Sequence, residues 1–216
     1  MPRKARQKAE SGIYHVMLRG IDRQLIFEDS EDYLRFLNIV QECREICGSQ
    51  LFAYCLMANH VHLLLKVQND DLETVFKRIG GRYVYYYNVK YQRIGHLFQD
   101  RFRSEPVDDD AYFLSVLRYI HQNPVKAKLC SKVEDYPFSS FAEYLHESAC
   151  VDTEFALSMI DRSEFARFSN APNTDTCMEY VTPARRAVTD TQAQVVIEQV
   201  SHCKTITEFQ GLDEKK

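Results

Sequence analysis

The chain reads as an α+β domain, a ferredoxin-like antiparallel sheet with packed helices, followed by a helical extension. Three features of the 216 residues carry that reading. Short β-branched and aromatic runs alternate with stretches whose apolar residues recur every three or four positions, giving strand, helix, hairpin, helix, strand, helix. Two apolar runs, 51–57 and 60–67, are separated only by Ala58-Asn59, so they fold back on each other as a β-hairpin. Hydrophobic residues at 45% supply a core, yet no apolar run approaches the roughly 20 residues that span a bilayer.

Residues 1–10 form a basic arm without the apolar segment of a signal peptide. The seven cysteines are odd in number and scattered, as expected of reduced thiols in a cytoplasm. Cys43 and Cys47 sit one helical turn apart, but no second cysteine pair lies nearby to complete a metal site. Ile13–Arg19 is a β-branched and aromatic first strand stopped by Gly20, and the side to which His15 points is open at this level. Asp29-Ser30 caps a helix with Tyr33, Phe36, Leu37, Val40, Cys43 and Cys47 on one stripe, and Gly48 ends it.

After the β-hairpin, a second helix starts near Asp70-Asp71, with Leu72, Val75, Phe76 and Ile79 buried. Past Gly80-Gly81 lies a tyrosine-rich stretch, and at least two of its tyrosines belong to a helix core face. A loop from Ile94 leads into a further strand, and Asp108-Asp109-Asp110 caps a helix over Ala111–Asn123 that Pro124 halts. Tyr136–Phe141 is an aromatic loop that closes the core. The domain spans 11–147. Residues 150–216 form the extension, with helical signals near 152–168 and over 190–201, in the pattern of an incomplete helix-turn-helix.

The formal net charge of −4 hides an asymmetry. Residues 1–130 carry nineteen basic and sixteen acidic side chains, and the remainder eight and fifteen. Lys77, Arg78, Arg82, Lys90, Arg93, Arg101 and Arg103 fall within 72–103, with Tyr86 among them. Basic residues interleaved with aromatics suit a surface that neutralises phosphates and stacks bases.

The chemistry centres on His60 and His62. On a strand they share one face while Val61, Leu63 and Leu65 share the other. Two adjacent imidazoles suit a divalent metal, although an isolated His-x-His is equally a pair of ordinary polar residues on a solvated face. Tyr119 and Asn123, four apart, stack on one helix face. If that face crosses the sheet near the histidines, Asn123 offers an amide oxygen as third ligand and Tyr119 a phenol as nucleophile. The alternative is an ordinary helix-face aromatic. Mixed imidazole and amide-oxygen ligation accommodates Mg²⁺ or Mn²⁺, which would compensate for the weak nucleophilicity of a phenol. No Walker-type glycine loop is present, and exchange of one phosphoester for another needs no nucleotide.

Three motifs in order, His60-Val61-His62, Gly95-His96-Leu97-Phe98-Gln99-Asp100-Arg101-Phe102 and Arg118-Tyr119-Ile120-His121-Gln122-Asn123-Pro124-Val125-Lys126-Ala127, strongly resemble the single-tyrosine HUH transposases. The branch they most resemble is that of the REP-associated tyrosine transposases, over roughly residues 10–145. The resemblance implies a ferredoxin-like fold, His60, His62 and Asn123 as metal ligands and Tyr119 as nucleophile. It further implies cleavage and rejoining of hairpin-bearing single-stranded DNA through a 5′-phosphotyrosine, with the basic and aromatic residues of 77–103 facing the DNA. Relatives act as monomers or as homodimers that exchange the catalytic helix. For the general base the sequence offers only His96 and His121.

Two other readings compete. A non-catalytic regulator with the same fold would bind nucleic acid without cutting it; the complete set of His60, His62, Tyr119 and Asn123 argues for chemistry. An RNA-binding ferredoxin-like module would need aromatics on the sheet face where this chain carries histidines.

Overall fold

The structure, a computed structural model, describes residues 6–179. The strands β1 (Ile13–Arg19), β2 (Gln50–Met57), β3 (His60–Lys66) and β4 (Arg103–Pro106) form one sheet in the order β2-β3-β1-β4, and every neighbouring pair is antiparallel. Between and after them lie α1 (Ser30–Cys47), α2 (Leu72–Lys90) and α3 (Asp110–Lys126). This is the expected ferredoxin-like α+β arrangement, with the histidine-bearing β3 and the first strand β1 as central neighbours.

Local chemistry sets the boundaries. Asp29 accepts from the Asp32 amide at 3.1 Å and starts α1, and Gly48 closes it in the left-handed region at φ 63°. Gly20 ends β1 where the chain doubles back. A Cβ there would lie 2.3 Å from the Gln24 carbonyl oxygen, so any side chain displaces backbone. Gly20→Ala is expected to lower unfolding free energy by about 2 kcal/mol, measured by urea denaturation.

α2 differs from the simplest reading of its glycines. It runs unbroken through Gly80 and Gly81, because Val75, Phe76, Ile79, Tyr83 and Tyr87 keep one buried stripe against the core on both sides of them. A likewise corrected boundary is that of α3, which Pro124 does not halt. Proline removes one amide donor and strains one turn, and so near the C-terminus few hydrogen bonds remain to be lost. The helix closes at Ala127, whose amide reaches the Asn123 carbonyl at 2.9 Å.

α1 contacts β2 and packs along α2, and a buried carboxylate ties the two helices together. Asp32 is shut from solvent and accepts from the Glu28 amide (2.8 Å), Tyr91 Oη (2.7 Å), Lys90 Nζ (2.9 Å) and Tyr86 Oη (3.0 Å). Burial pushes its carboxyl up, but those four donors outweigh burial and hold it below its ordinary value. Its stabilisation is therefore complete above the ordinary carboxylate range and lost as pH falls through the lower folded value. Asp32→Asn should cost about 2–3 kcal/mol at pH 7, and the gap to wild type should close below about pH 4 in chemical denaturation.

Residues up to Met178 belong to a first compact unit, which ends where Glu179 begins a second. Residues 150–178, where the sequence suggested an extension begins, lie within the first unit. Here α5 (Glu154–Leu157) and α6 (Arg162–Asn170), preceded by the short α4 (Phe141–Leu145), bury Ala156 and Phe165 in the common core. The helix expected over 190–201 and the incomplete helix-turn-helix lie outside the described residues. Among the described residues, no helix is long and apolar enough to cross a membrane.

Candidate active site

The strand register builds the site. His62 lies opposite Met17 of β1 and Cys55 of β2, and His60 opposite Arg19 and Met57. His15 lies opposite Leu64 and Glu105, and Met17 opposite Arg103. Cross-strand partners share a face, so His15, Arg19, His60, His62, Arg103 and Glu105 all lie on one side of the sheet. The pairing thus decides the direction of His15, which the sequence left open.

α3 crosses this same face. The Tyr119 ring centroid is 5.8 Å from that of His62 and 5.9 Å from that of His15, both edge-on. Tyr119 is buried, but its covering includes two imidazoles and not merely aliphatic chains. Lys126, two turns on, places its ammonium 4.4 Å from the Tyr119 ring centroid. Asn123 donates its amide nitrogen to the Tyr119 carbonyl at 3.0 Å, which turns its amide oxygen away from the helix backbone.

Both histidines of β3 are tethered at the same ring atom. His60 Nδ1 meets Asn59 Oδ1 at 2.6 Å, and His62 Nδ1 meets His15 Nε2 at 2.9 Å. With the proton on Nδ1, each ring presents a lone pair at Nε2. Burial, aided by the charge of Arg19, pushes His60 down to about 4. Burial, then the neighbouring His15 and His60, push His62 well below its ordinary value. Both rings are neutral at physiological pH, the form that ligates a metal. Among the described residues, no three His, Cys, Asp or Glu side chains gather into a metal cluster. A cation here therefore needs an oxygen from another residue type, and the amide of Asn123 fits that donor chemistry.

The general-base candidates fare differently. His121 points away from Tyr119 into an aromatic cluster of Phe141, Tyr144 and Phe165, where burial pushes it down to about 3. It belongs to the core. His96 is exposed in the loop before β4. Asp109 caps α3 through the Tyr112 amide at 2.7 Å, and Asp108 accepts from Ser11 at 3.0 Å, so the aspartate cluster is structural.

The basic residues are dispersed. On α2, Arg78 pairs with Asp70, Arg82 with Glu42 at 2.9 Å, and Lys90 with Asp29, Glu31 and Asp32 at 2.9–3.0 Å. Tyr86 joins Lys90 on Asp32, and Lys77 is exposed on the same helix. Arg93 donates to Gln24 at 3.0 Å, and Arg101 pairs with Glu73 at 3.3 Å. Of the eight residues expected to face DNA, only Arg103 occupies a strand position on the histidine face. Sequence charge density could not reveal this, because the carboxylates neutralising α2 come mostly from α1.

A family model described as "Transposase IS200 like" matches residues 8–123. A Haemophilus influenzae protein classed as a REP-associated tyrosine transposase is 32% identical over 123 residues, covering 51% of this chain and 69% of that protein. The solved structure of a REP-associated tyrosine transposase bound to a REP hairpin superposes with a TM-score of 0.62 at 15% identity, over 85% of this chain and all of the other, which shows a common fold.

Proposed function

This chain belongs to the IS200-like transposases, DNA-binding enzymes that cleave and transfer strands, and on that premise we propose that it cuts and rejoins hairpin-bearing single-stranded DNA through a phosphotyrosine at Tyr119. The observation that carries this reading is the approach of the Tyr119 ring to His62 across the sheet face.

The phenolic oxygen attacks the scissile phosphorus as the bond to the 3′-oxygen breaks, and the phenol proton leaves with the 3′-hydroxyl. One phosphodiester is exchanged for another, so the reverse attack by a 3′-hydroxyl rejoins the strand. A phenol ordinarily ionises near pH 10 and is weakly nucleophilic at pH 7. Lys126 sets its ammonium over the Tyr119 ring, a cation–π contact that helps hold the ring in place. His60, His62 and Asn123 would hold Mg²⁺ or Mn²⁺, which when bound neutralises phosphate charge and aligns the scissile bond. Arg103, on the same face, suits the flanking phosphate. Contacts from Lys77, Arg78, Arg82, Tyr86, Lys90, Arg93 and Arg101 would require most of these side chains to exchange carboxylate or amide partners for phosphate. The partner proposed is a DNA hairpin beside a single-stranded cleavage site, met in the bacterial cytoplasm.

The test incubates the full chain with Mg²⁺ or Mn²⁺ and an end-labelled, hairpin-bearing oligonucleotide. A covalent protein–DNA band on a denaturing gel is expected. Tight binding without that band would favour the non-catalytic regulator.

A further inference from the structure

His15 and Glu105 fall outside the nucleophile and the ligand set, yet both are directed at it. His15 is fully buried on the central strand β1, and its Nδ1 meets Glu105 Oε1 at 2.6 Å while its Nε2 meets His62 Nδ1 at 2.9 Å. The His15 and His62 rings stack at 5.2 Å with planes 21° apart. Burying a carboxylate–imidazole–imidazole chain costs desolvation that an aliphatic residue at position 15 would avoid. The neighbouring strand residues Val16, Leu64 and Leu18 are of that aliphatic kind.

We infer that the Glu105–His15 pair is a positioning relay that holds His62 in the tautomer able to ligate a divalent cation through Nε2. The inference rests on the metal reading of His60 and His62 given above. Geometry carries it, since Glu105, His15 and His62 form one continuous buried chain of 2.6 and 2.9 Å contacts. An ionised carboxylate only accepts, so His15 Nδ1 bears the hydrogen directed at Glu105. In the neutral form of His15 that hydrogen is the only one, so its Nε2 accepts and His62 Nδ1 donates to it. The lone pair of His62 then lies on Nε2. Were the chain reversed, Nε2 of His62 would carry hydrogen and could not ligate. Glu105 is itself fixed by the Met178 amide at 3.0 Å. His60 has a shorter equivalent in its neighbour Asn59, so the two rings of β3 are oriented by independent acceptors. Outer acceptors of this kind commonly set metal affinity by about 10- to 100-fold. His15 is a positioning residue and touches no reacting atom.

The experiment measures Mn²⁺ affinity of the full chain by calorimetry, with the His62 tautomer read from ring nitrogen shifts of the metal-free protein. Wild type should show His62 protonated at Nδ1. His15→Leu should weaken Mn²⁺ binding about 10- to 100-fold, while His15→Gln, whose amide oxygen can still accept from His62, should restore most of it. Metal-free DNA-hairpin binding and thermal unfolding of the same variants report on folding. A folded His15→Leu protein with wild-type affinity overturns the relay, as does a His62 ring protonated at Nε2 in wild type, a result that needs no variant. Wild type that binds no Mn²⁺, or binds it equally well after His62→Ala, overturns the metal reading and the relay with it.

Discussion

Replacement of Tyr119 by Phe abolishes the covalent adduct and leaves DNA-hairpin binding within about twofold of wild type. The substitution removes one oxygen from a buried ring and keeps its shape, so the edge contacts to His15 and His62 survive. Tyr112, the nearest tyrosine on α3, is pushed up by burial and by the charge of Glu105, which makes its phenolate harder to form. Loss of a nucleophile whose reaction otherwise proceeds through a covalent intermediate costs at least about a thousandfold in rate. The readout is the denaturing gel, with filter binding of the same oligonucleotide as control. Adduct formation by the Phe variant at more than a few per cent of wild type would move the nucleophile elsewhere.

The second large effect belongs to His62→Ala. It removes one proposed ligand and also strands His15 Nε2, a buried acceptor that loses its donor. The expected result is at least a hundredfold loss of Mn²⁺ affinity, cleavage at background, and a fall in stability of about 2 kcal/mol. His60→Ala separates the two contributions. Its ring is partly buried and hydrogen-bonded to the adjacent Asn59, so metal affinity should fall comparably while stability changes by less than about 1 kcal/mol. Equal destabilisation by both substitutions would mean that the buried acceptor chain adds nothing to the fold.

The amino-acid order by itself determined much of this. Asp29 and Gly48 bound α1, Ala58-Asn59 turns the β-hairpin, and the period-two pattern of β3 puts both histidines on one face, because caps, turns and pleats are local chemistry. Spacing placed Tyr119 and Asn123 on one helix face, since four residues make about one helical turn, while the role of Tyr119 came only from the family resemblance. What needed the folded chain was everything that depends on partners distant in sequence. The side chain of His15 acquires a direction only when β1 pairs with β3 and β4, 47 and 90 residues away. The cationic stretch of α2 looked like a nucleic-acid surface until α1 supplied Asp29, Asp32 and Glu42 against it. Gly80, Gly81 and Pro124 sit inside helices because packing of a continuous apolar stripe outweighs a local preference of about 1–3 kcal/mol. Local propensities are written residue by residue, whereas tautomers, ion-pair partners and burial are set by which distant segments the sheet brings together.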